Sequence, residues 1–402
     1  MPQSLLAPRP RRTTRLWRIP PALLRNSTTS EAFEGESILA EFRGDAGFVI
    51  WQCYRDVLLW ASTPPKERAG LFHDGGGDVA SPEADEASLA DRLDVDTLRA
   101  LRRLRRGALQ PRGDDGAMMA AAMAVAVGAE QRGAAATCVA YAQLSAAIDP
   151  SSASAALAVG RLALRLDHAP VADTWLRRTI ALARRSHDWE SYAAALVTLG
   201  RFREQHDRLD DARGEYLKVL RISRRHGLTE PVECAVSGLL RVALRQGDQE
   251  AAERYAGWAL RIHRQGHPRR ASVLVDAAEV ELRRGAHVRA EEMARTALPG
   301  LAGAEEVRAL IVLVRALGGI GEGQGVEYAW HRALDAIDPY GCSGEAVRWL
   351  LALAHAGAEV LQESHADRTA QRALACARQI GDEELIADCA AFLARPRFPR
   401  AS

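Results

Sequence analysis

"GRFREQHDRLDDARGEYLKVLRISRRHG", residues 200–227, is rich in helix formers at both ends and breaks near its middle. The insert "QHDRLDD" brings three aspartates together, and aspartate side chains compete with the backbone for hydrogen bonds, which favours caps and turns over helix interiors. The stretch therefore predicts two antiparallel helices, with the break between Gln205 and Asp210.

The phrasing recurs along the chain. A small residue followed four and eight positions later by further core residues forms a ladder with rungs at Ala172, Ala212, Ala252, Ala290, Val326 and Ala366. Four residues on stand Leu176, Tyr216, Ala256, Ala294, Trp330 and Ala370, and eight on stand Ile180, Leu220, Leu260, Leu298, Leu334 and Leu374. The steps are 40, 40, 38, 36 and 40 residues, and a weaker copy around Ala136 and Leu144 extends the array toward residue 117. A helix hairpin cannot bury its apolar face alone, whereas stacked hairpins share a continuous core. The expected fold is all-α, an α-solenoid of antiparallel helix hairpins.

On these residues the chain resembles the tetratricopeptide repeat superfamily. "LGRFREQHDRLDDARGEYLKVL" (199–220) is the best match: Leu199–Gly200 correspond to the Leu-Gly of the first helix, Ala212 to the small residue of the second, and Tyr216 to the aromatic four later. "GDQEAAERYAGWAL" (247–260) and "GAHVRAEEMARTAL" (285–298) fit the second-helix half. The resemblance covers roughly residues 117–395. The period is nearer 40 than the 34 of the commonest form, and the repeat-closing Pro and first-helix Trp are mostly missing. This is similar to the long-helix subclass in bacterial regulators, with HEAT-like packing as the structural alternative. The resemblance implies a superhelix that binds protein or peptide in a concave groove.

Composition agrees with a helical chain: Ala, Leu, Arg and Glu dominate, and β-branched runs are few. A net charge of +1 gives no global attraction to nucleic acid or acidic lipid. Lys66 and Lys218 are the only lysines, so the high Arg content reads as coding bias and weakens any single Arg as a functional signal. The six cysteines (53, 138, 234, 342, 376, 389) show no C-x-x-C spacing. Zinc and thioredoxin-like readings of the cysteines therefore fail, and scattered thiols suggest a reducing cytosol. The basic N-terminus lacks an apolar run long enough for a signal peptide, and "AMMAAAMAVAVGA" (117–129) is too short to span a bilayer. A cytoplasmic location is expected.

Five segments are expected: a disordered basic tail (1–15), an aromatic-rich helical segment (16–72), a flexible acidic linker (73–92), a basic helix and turn (93–116), and the repeats (117–402). Eight of the chain's aromatics fall in 16–72. "DAGFVIWQCYRDVLLWAS" (45–62) reads as a mostly buried helix, and "TPPKERAGLF" as a short one. The segment is either a cap on the array or a docking module. "DEELIADCAAFLARP" (382–396) reads as a last helix hiding the terminal core face, with Leu385, Ile386, Cys389 and Leu393 inward.

Catalytic signatures are missing: there is no G-x-S-x-G, Walker lysine or H-E-x-x-H. "GGIGEGQG" (318–325) follows no strand and reads as a turn, and "HRQGH" (263–267) reads as a solvated loop. No enzyme activity, cofactor or metal is expected. Two arginine sets remain. Eleven positions before the rungs stand Arg161, Arg201, Arg241, Glu279, Arg315 and His355. In the tetratricopeptide pattern this column follows the first-helix Gly and lines the groove, where an Arg fork suits acidic side chains or a free carboxylate. Chance, or pairing between repeats, explains the same column. The second set is Arg102, Arg103, Arg105 and Arg106, either a nucleic-acid contact or the solvated face of an amphipathic helix with Leu98, Leu101 and Leu104 inward. The functional expectation is a scaffold or regulator binding a protein or peptide, the alternative a nucleic-acid-associated transcriptional regulator using helix 97–106. No membrane partner is expected.

Overall fold

The computed structural model describes residues 41–42, 44–68, 71, 93–110, 113–360 and 363–395. The basic tail, the linker 73–92, Trp17, Phe33, Phe72 and the end from Pro396 lie outside the described residues. Seventeen α-helices and no strand occur among the described residues. The chain divides into two compact units, Met1–Ala195 and Leu196–Ser402.

The first unit holds α1 (Gly44–Ser62), α2 (Val95–Ala108), α3 (Asp115–Gln131), α4 (Ala135–Ile148), α5 (Ala153–Arg165) and α6 (Ala169–Ser186). The boundary falls within α7 (Trp189–Gln205). In α1, Ile50, Trp51, Cys53, Val57 and Trp60 are buried, and Gln52, Arg55 and Asp56 form the half-buried stripe that the sequence pattern places there. The Tyr141 hydroxyl of α4 donates to the Ile50 carbonyl at 2.6 Å, and the Trp60 indole donates to the Gln110 carbonyl at 3.1 Å. "TPPKE" forms a turn, with Glu67 N–H donating to the Pro64 carbonyl at 2.9 Å, and Arg68 stands in 3-10 conformation; the rest of the expected short helix lies largely outside the described residues.

The second unit continues with α8 (Leu209–His226), α9 (Glu230–Gln246), α10 (Gln249–Ile262), α11 (Arg270–Arg283), α12 (His287–Ala297), α13 (Ala304–Ile320), α14 (Gly323–Ile337), α15 (Gly344–Val360), α16 (Glu363–Ile380) and α17 (Glu383–Leu393). Consecutive helices pair as hairpins, and first helices pack on first helices of the next repeat (α9 on α11, α11 on α13, α13 on α15). The break in the opening stretch lies between Gln205 and Leu209. Every rung of the ladder is the fourth residue of its second helix and is buried, as is every residue four later. The column eight later is half-buried except for buried Leu220, because it reaches the end of the inward stripe.

The hairpin turns share one device. Five residues before the rungs, Asp167, Asp207, Gly247, Gly285 and Gly321 all adopt left-handed φ, between 57° and 85°. A left-handed residue ends the first helix and lets the chain reverse within a few residues. Glycine does this without steric cost, and aspartate is one of the few other residues that visits the region readily. "GGIGEGQG" contains such a turn, with Gly321 capping α13.

Tyr216 is the deepest lock. Its ring is fully buried between two first helices, where a methyl group added at Gly200 or Gly238 would lie 2.7 or 2.4 Å from ring atoms. Only glycine allows the ring this close approach from both sides. At the far end α17 starts at Asp382, which accepts from Leu385 N–H at 3.1 Å, and buries Leu385, Cys389 and Phe392. Ile386 and Leu393 are half-buried. Cys342 and Cys376, expected as isolated thiols, are disulfide-paired with Cα atoms 4.8 Å apart, because the turn after α14 brings residue 342 beside α16. Among the described residues, no helix is long and apolar enough to cross a membrane.

Candidate functional site

The first helices present the column one residue after the first-helix glycine position. Arg161, in the first unit, is exposed and has no hydrogen bond or ion pair among the described residues. In the second unit the column divides. Arg201 is exposed, and its charge is felt by the Tyr216 phenol. Arg241 makes a bidentate contact with Glu204, Nε to Oε1 at 2.8 Å and an Nη to Oε2 at 3.1 Å. The Tyr216 hydroxyl donates to the same Glu204 Oε2 at 2.9 Å. Burial lowers the Arg241 pKa, but the Glu204 hydrogen bonds and charge outweigh it and the net shift is upward. Burial foremost, then the Glu204 charge, raises the Tyr216 phenol well above its ordinary value.

The pattern recurs twice between α11 and α13. Arg308 pairs with fully buried Asp276 at 2.5 Å, and Arg315 reaches both oxygens of Glu279 at 2.8 Å and Glu359 at 3.1 Å. Burial raises the Asp276 pKa despite Arg308 and Arg241. One turn beyond the column, Arg245 donates to the Glu204 carbonyl and Arg283 to the Leu244 carbonyl. Each thereby adds a side-chain donor to a carbonyl at the end of the preceding first helix, which also accepts from a turn N–H. Arg241, Glu279 and Arg315, all half-buried, thus tie first helices together.

His355 is exposed at the end of the column, edge-to-face with Phe392 at 4.6 Å between centroids. Burial, then the nearby Arg395 charge, lowers its pKa. It lines a cleft of about 320 Å³ with Arg348, Leu351, Glu384, Leu385 and Asp388, between α15 and α17.

On α2, Asp94 caps the helix, its carboxylate accepting from Thr97 N–H and hydroxyl, both at 2.7 Å. Leu98, Leu101 and Leu104 are buried. Arg102, Arg103 and Arg106 are exposed, while Arg105 is half-buried and its charge reaches Cys53 and Asp56 on α1. Three of the four arginines therefore face solvent and the fourth faces the protein.

"HRQGH" departs from the solvated-loop expectation. His263 is fully buried, because its ring folds back one turn along α10 to the Ala259 carbonyl. Sequence reasoning also missed Glu204, Asp276 and Glu359, the carboxylates that hold the arginines. Their signal is a charge separation near one repeat, 37 residues from Glu204 to Arg241 and 36 from Glu279 to Arg315.

Recurrent hairpins, an aromatic seated on first-helix glycines and buried small-residue rungs define a tetratricopeptide-like helical-repeat protein, an all-α solenoid. No protein-family model matches the sequence, and no curated protein matches it. Among solved structures, PilF of Pseudomonas aeruginosa is similar at 21% identity and a TM-score of 0.45, covering 58% of this chain and 97% of PilF. BtubC (BKLC) from P. vanneervenii is 22% identical with a TM-score of 0.44, covering 52% and 89% of the two chains. A Rap protein complexed with competence and sporulation factor is 10% identical with a TM-score of 0.44, covering 87% and 96%.

Proposed function

We propose that this protein is a non-enzymatic scaffold or regulator that holds a protein or peptide segment in a concave groove lined by its first helices. The observation that carries the reading is the divided column. Arg241 and Arg315 are fixed by carboxylates of neighbouring helices, and Arg201 stands exposed beside them. Fixed guanidinium edges lose little side-chain entropy on binding, and an exposed fork supplies donors not already taken. The partner this suits is an acidic segment or a free C-terminal carboxylate, engaged by Arg201 and the accessible edges of Arg241 and Arg315, with Glu279 interrupting the positive line and His355 extending it. Arg161 holds the equivalent position in the first unit.

The test uses fluorescent twelve-residue peptides, acidic with a free C-terminus, acidic amidated, and basic, read by anisotropy. Arg201→Glu should remove acidic-peptide binding at unchanged helicity, while Arg184→Glu with Arg185→Glu, exposed near the end of α6, should leave it intact. Equal loss in both variants, or tighter binding of the basic peptide, overturns the groove reading.

A second reading rests on the exposed Arg102, Arg103 and Arg106 of α2, which suit the phosphates of a nucleic acid in a transcriptional regulator. It requires DNA or RNA binding that weakens steeply with salt, with a slope flattened when these arginines become alanine. No binding at low salt removes it.

A further inference from the structure

The histidines of "HRQGH" meet a carboxylate of the preceding first helix. His263 ends α10, His267 follows in the turn to α11, and Glu233 lies in the first turn of α9. One ligand atom from each of the three lies within 4.8 Å of the other two.

His263 is the informative member. Its Nδ1 lies 2.9 Å from the Ala259 carbonyl, an acceptor only, so Nδ1 carries the proton and Nε2 carries the lone pair. That Nε2 is fully buried and has no hydrogen-bond partner. A buried acceptor without a donor is unfavourable in a folded protein unless it serves another purpose. Fixing one imidazole nitrogen on a backbone carbonyl while the other is left unprotonated is the arrangement that orients a metal-ligating histidine.

His267 and Glu233 supply the rest. His267 Nε2 lies 3.3 Å from Glu233 Oε2, close to the ~3.4 Å edge of a tetrahedron with ligands about 2.05 Å from zinc. His267 Nδ1 accepts from the Arg269 N–H at 3.1 Å, so without a metal the Nε2 proton points to Glu233. Coordination through Nε2 moves that proton to Nδ1 and releases the Arg269 bond. The rearrangement falls in the exposed 264–266 and 268–269 turn, where Gly266 has φ +84°. The Arg269 guanidinium is held away on Cys234 and Glu230, and the Arg270 guanidinium on the His263 carbonyl. A metal-free His267–Glu233 pair accounts for two of the three residues and leaves the His263 nitrogen unexplained.

We propose that Glu233, His263 and His267 form a binding site for a divalent transition metal of the zinc class, with a fourth position for water or an external donor. Two imidazoles and one carboxylate suit zinc, cobalt or nickel and disfavour the all-oxygen preference of magnesium and calcium. The metal fastens the start of α9 to the α10–α11 turn and so joins one hairpin to the next.

The full chain, stripped with a chelator, is titrated with Zn²⁺ by calorimetry and with Co²⁺ by visible absorption. The expected result is one equivalent bound, a tetrahedral Co²⁺ spectrum, and a rise in melting temperature with Zn²⁺. Glu233→Gln and His267→Gln, both at half-buried positions, should each weaken binding at least about tenfold. His331→Gln, at an exposed histidine of α14, should not. His263→Gln is read only after its helicity is shown to match the parent. No stoichiometric Zn²⁺ binding, a preference for Mg²⁺, or binding unchanged in both Glu233→Gln and His267→Gln overturns the proposal.

Discussion

Replacing Arg241 by alanine removes the partner of a carboxylate that is only 11% exposed, while the Arg241 side chain itself is 27% exposed. Breaking a buried ion pair from one side costs about 3–5 kcal/mol, because the surviving charge stays desolvated. Two features lower this figure. Glu204 keeps the hydrogen bond from Tyr216, and water reaches the space that Arg241 vacates. The expected loss is about 2–3 kcal/mol, a fall of about 1 M in urea midpoint at an m-value near 2 kcal/mol/M. The double variant Glu204→Gln with Arg241→Met removes both charges, keeps an acceptor for Tyr216, and should recover to within about 1 kcal/mol of the parent. Urea unfolding followed by helical circular dichroism reads both variants. If Arg241→Ala unfolds within about 0.2 M of the parent, or the double variant falls as far as the single one, the pair does not stabilise the stack and the reasoning fails.

Gly238→Ala drives a methyl into the Tyr216 ring and should cost about 1–3 kcal/mol, whereas Gly214→Ala, in α8 with open space around it, should gain up to about 1 kcal/mol; the reverse order by thermal unfolding would refute the ring-clamp account. Burial pushes the Asp94 pKa up, but the two Thr97 hydrogen bonds and Arg132 outweigh it and the net shift is downward. The unfolded chain then binds more protons just below about pH 4, so the Asp94 contribution is complete above that range and lost as pH falls through the folded value. Asp94→Asn should flatten the acid limb of stability against pH, and an unchanged limb counts against the cap. The Cys342–Cys376 bridge closes a loop spanning 34 residues, so reduction should lower stability by about 3–4 kcal/mol, and no change in urea midpoint with reductant means the bridge adds none.

The architecture was legible because it rests on periodicity. The rungs, Tyr216 and Leu199–Gly200 sit at fixed intervals, and burial follows the interval directly. The column of Arg161, Arg201, Arg241, Glu279, Arg315 and His355 was legible as a column, but not its division. Whether an arginine is exposed or held depends on a carboxylate one repeat away, and Glu204 lies three residues from its column position while Glu279 occupies the position itself. Local pattern cannot see such pairs. "HRQGH" misled for a related reason: Gly266 and Pro268 do mark a turn, but His263 precedes them and still belongs to the last turn of α10.

The ladder of opposite charges between first helices also bears on how the chain avoids stacking out of order. In the pairs Glu204–Arg241, Asp276–Arg308 and Glu279–Arg315 the carboxylate comes from the earlier helix, and in Arg315–Glu359 it comes from the later one. Apolar faces of near-identical hairpins are interchangeable, so burial alone does not distinguish the next hairpin from the one after it. Were α9 skipped and α11 laid directly on α7, Glu279 would arrive where Arg241 belongs and face buried Glu204. Two carboxylates forced together repel and lose their hydration, a penalty on the wrong neighbour that the correct one never meets. In a chain built from look-alike parts, the Glu204–Arg241 pair thus disfavours a skipped repeat at this point of the stack.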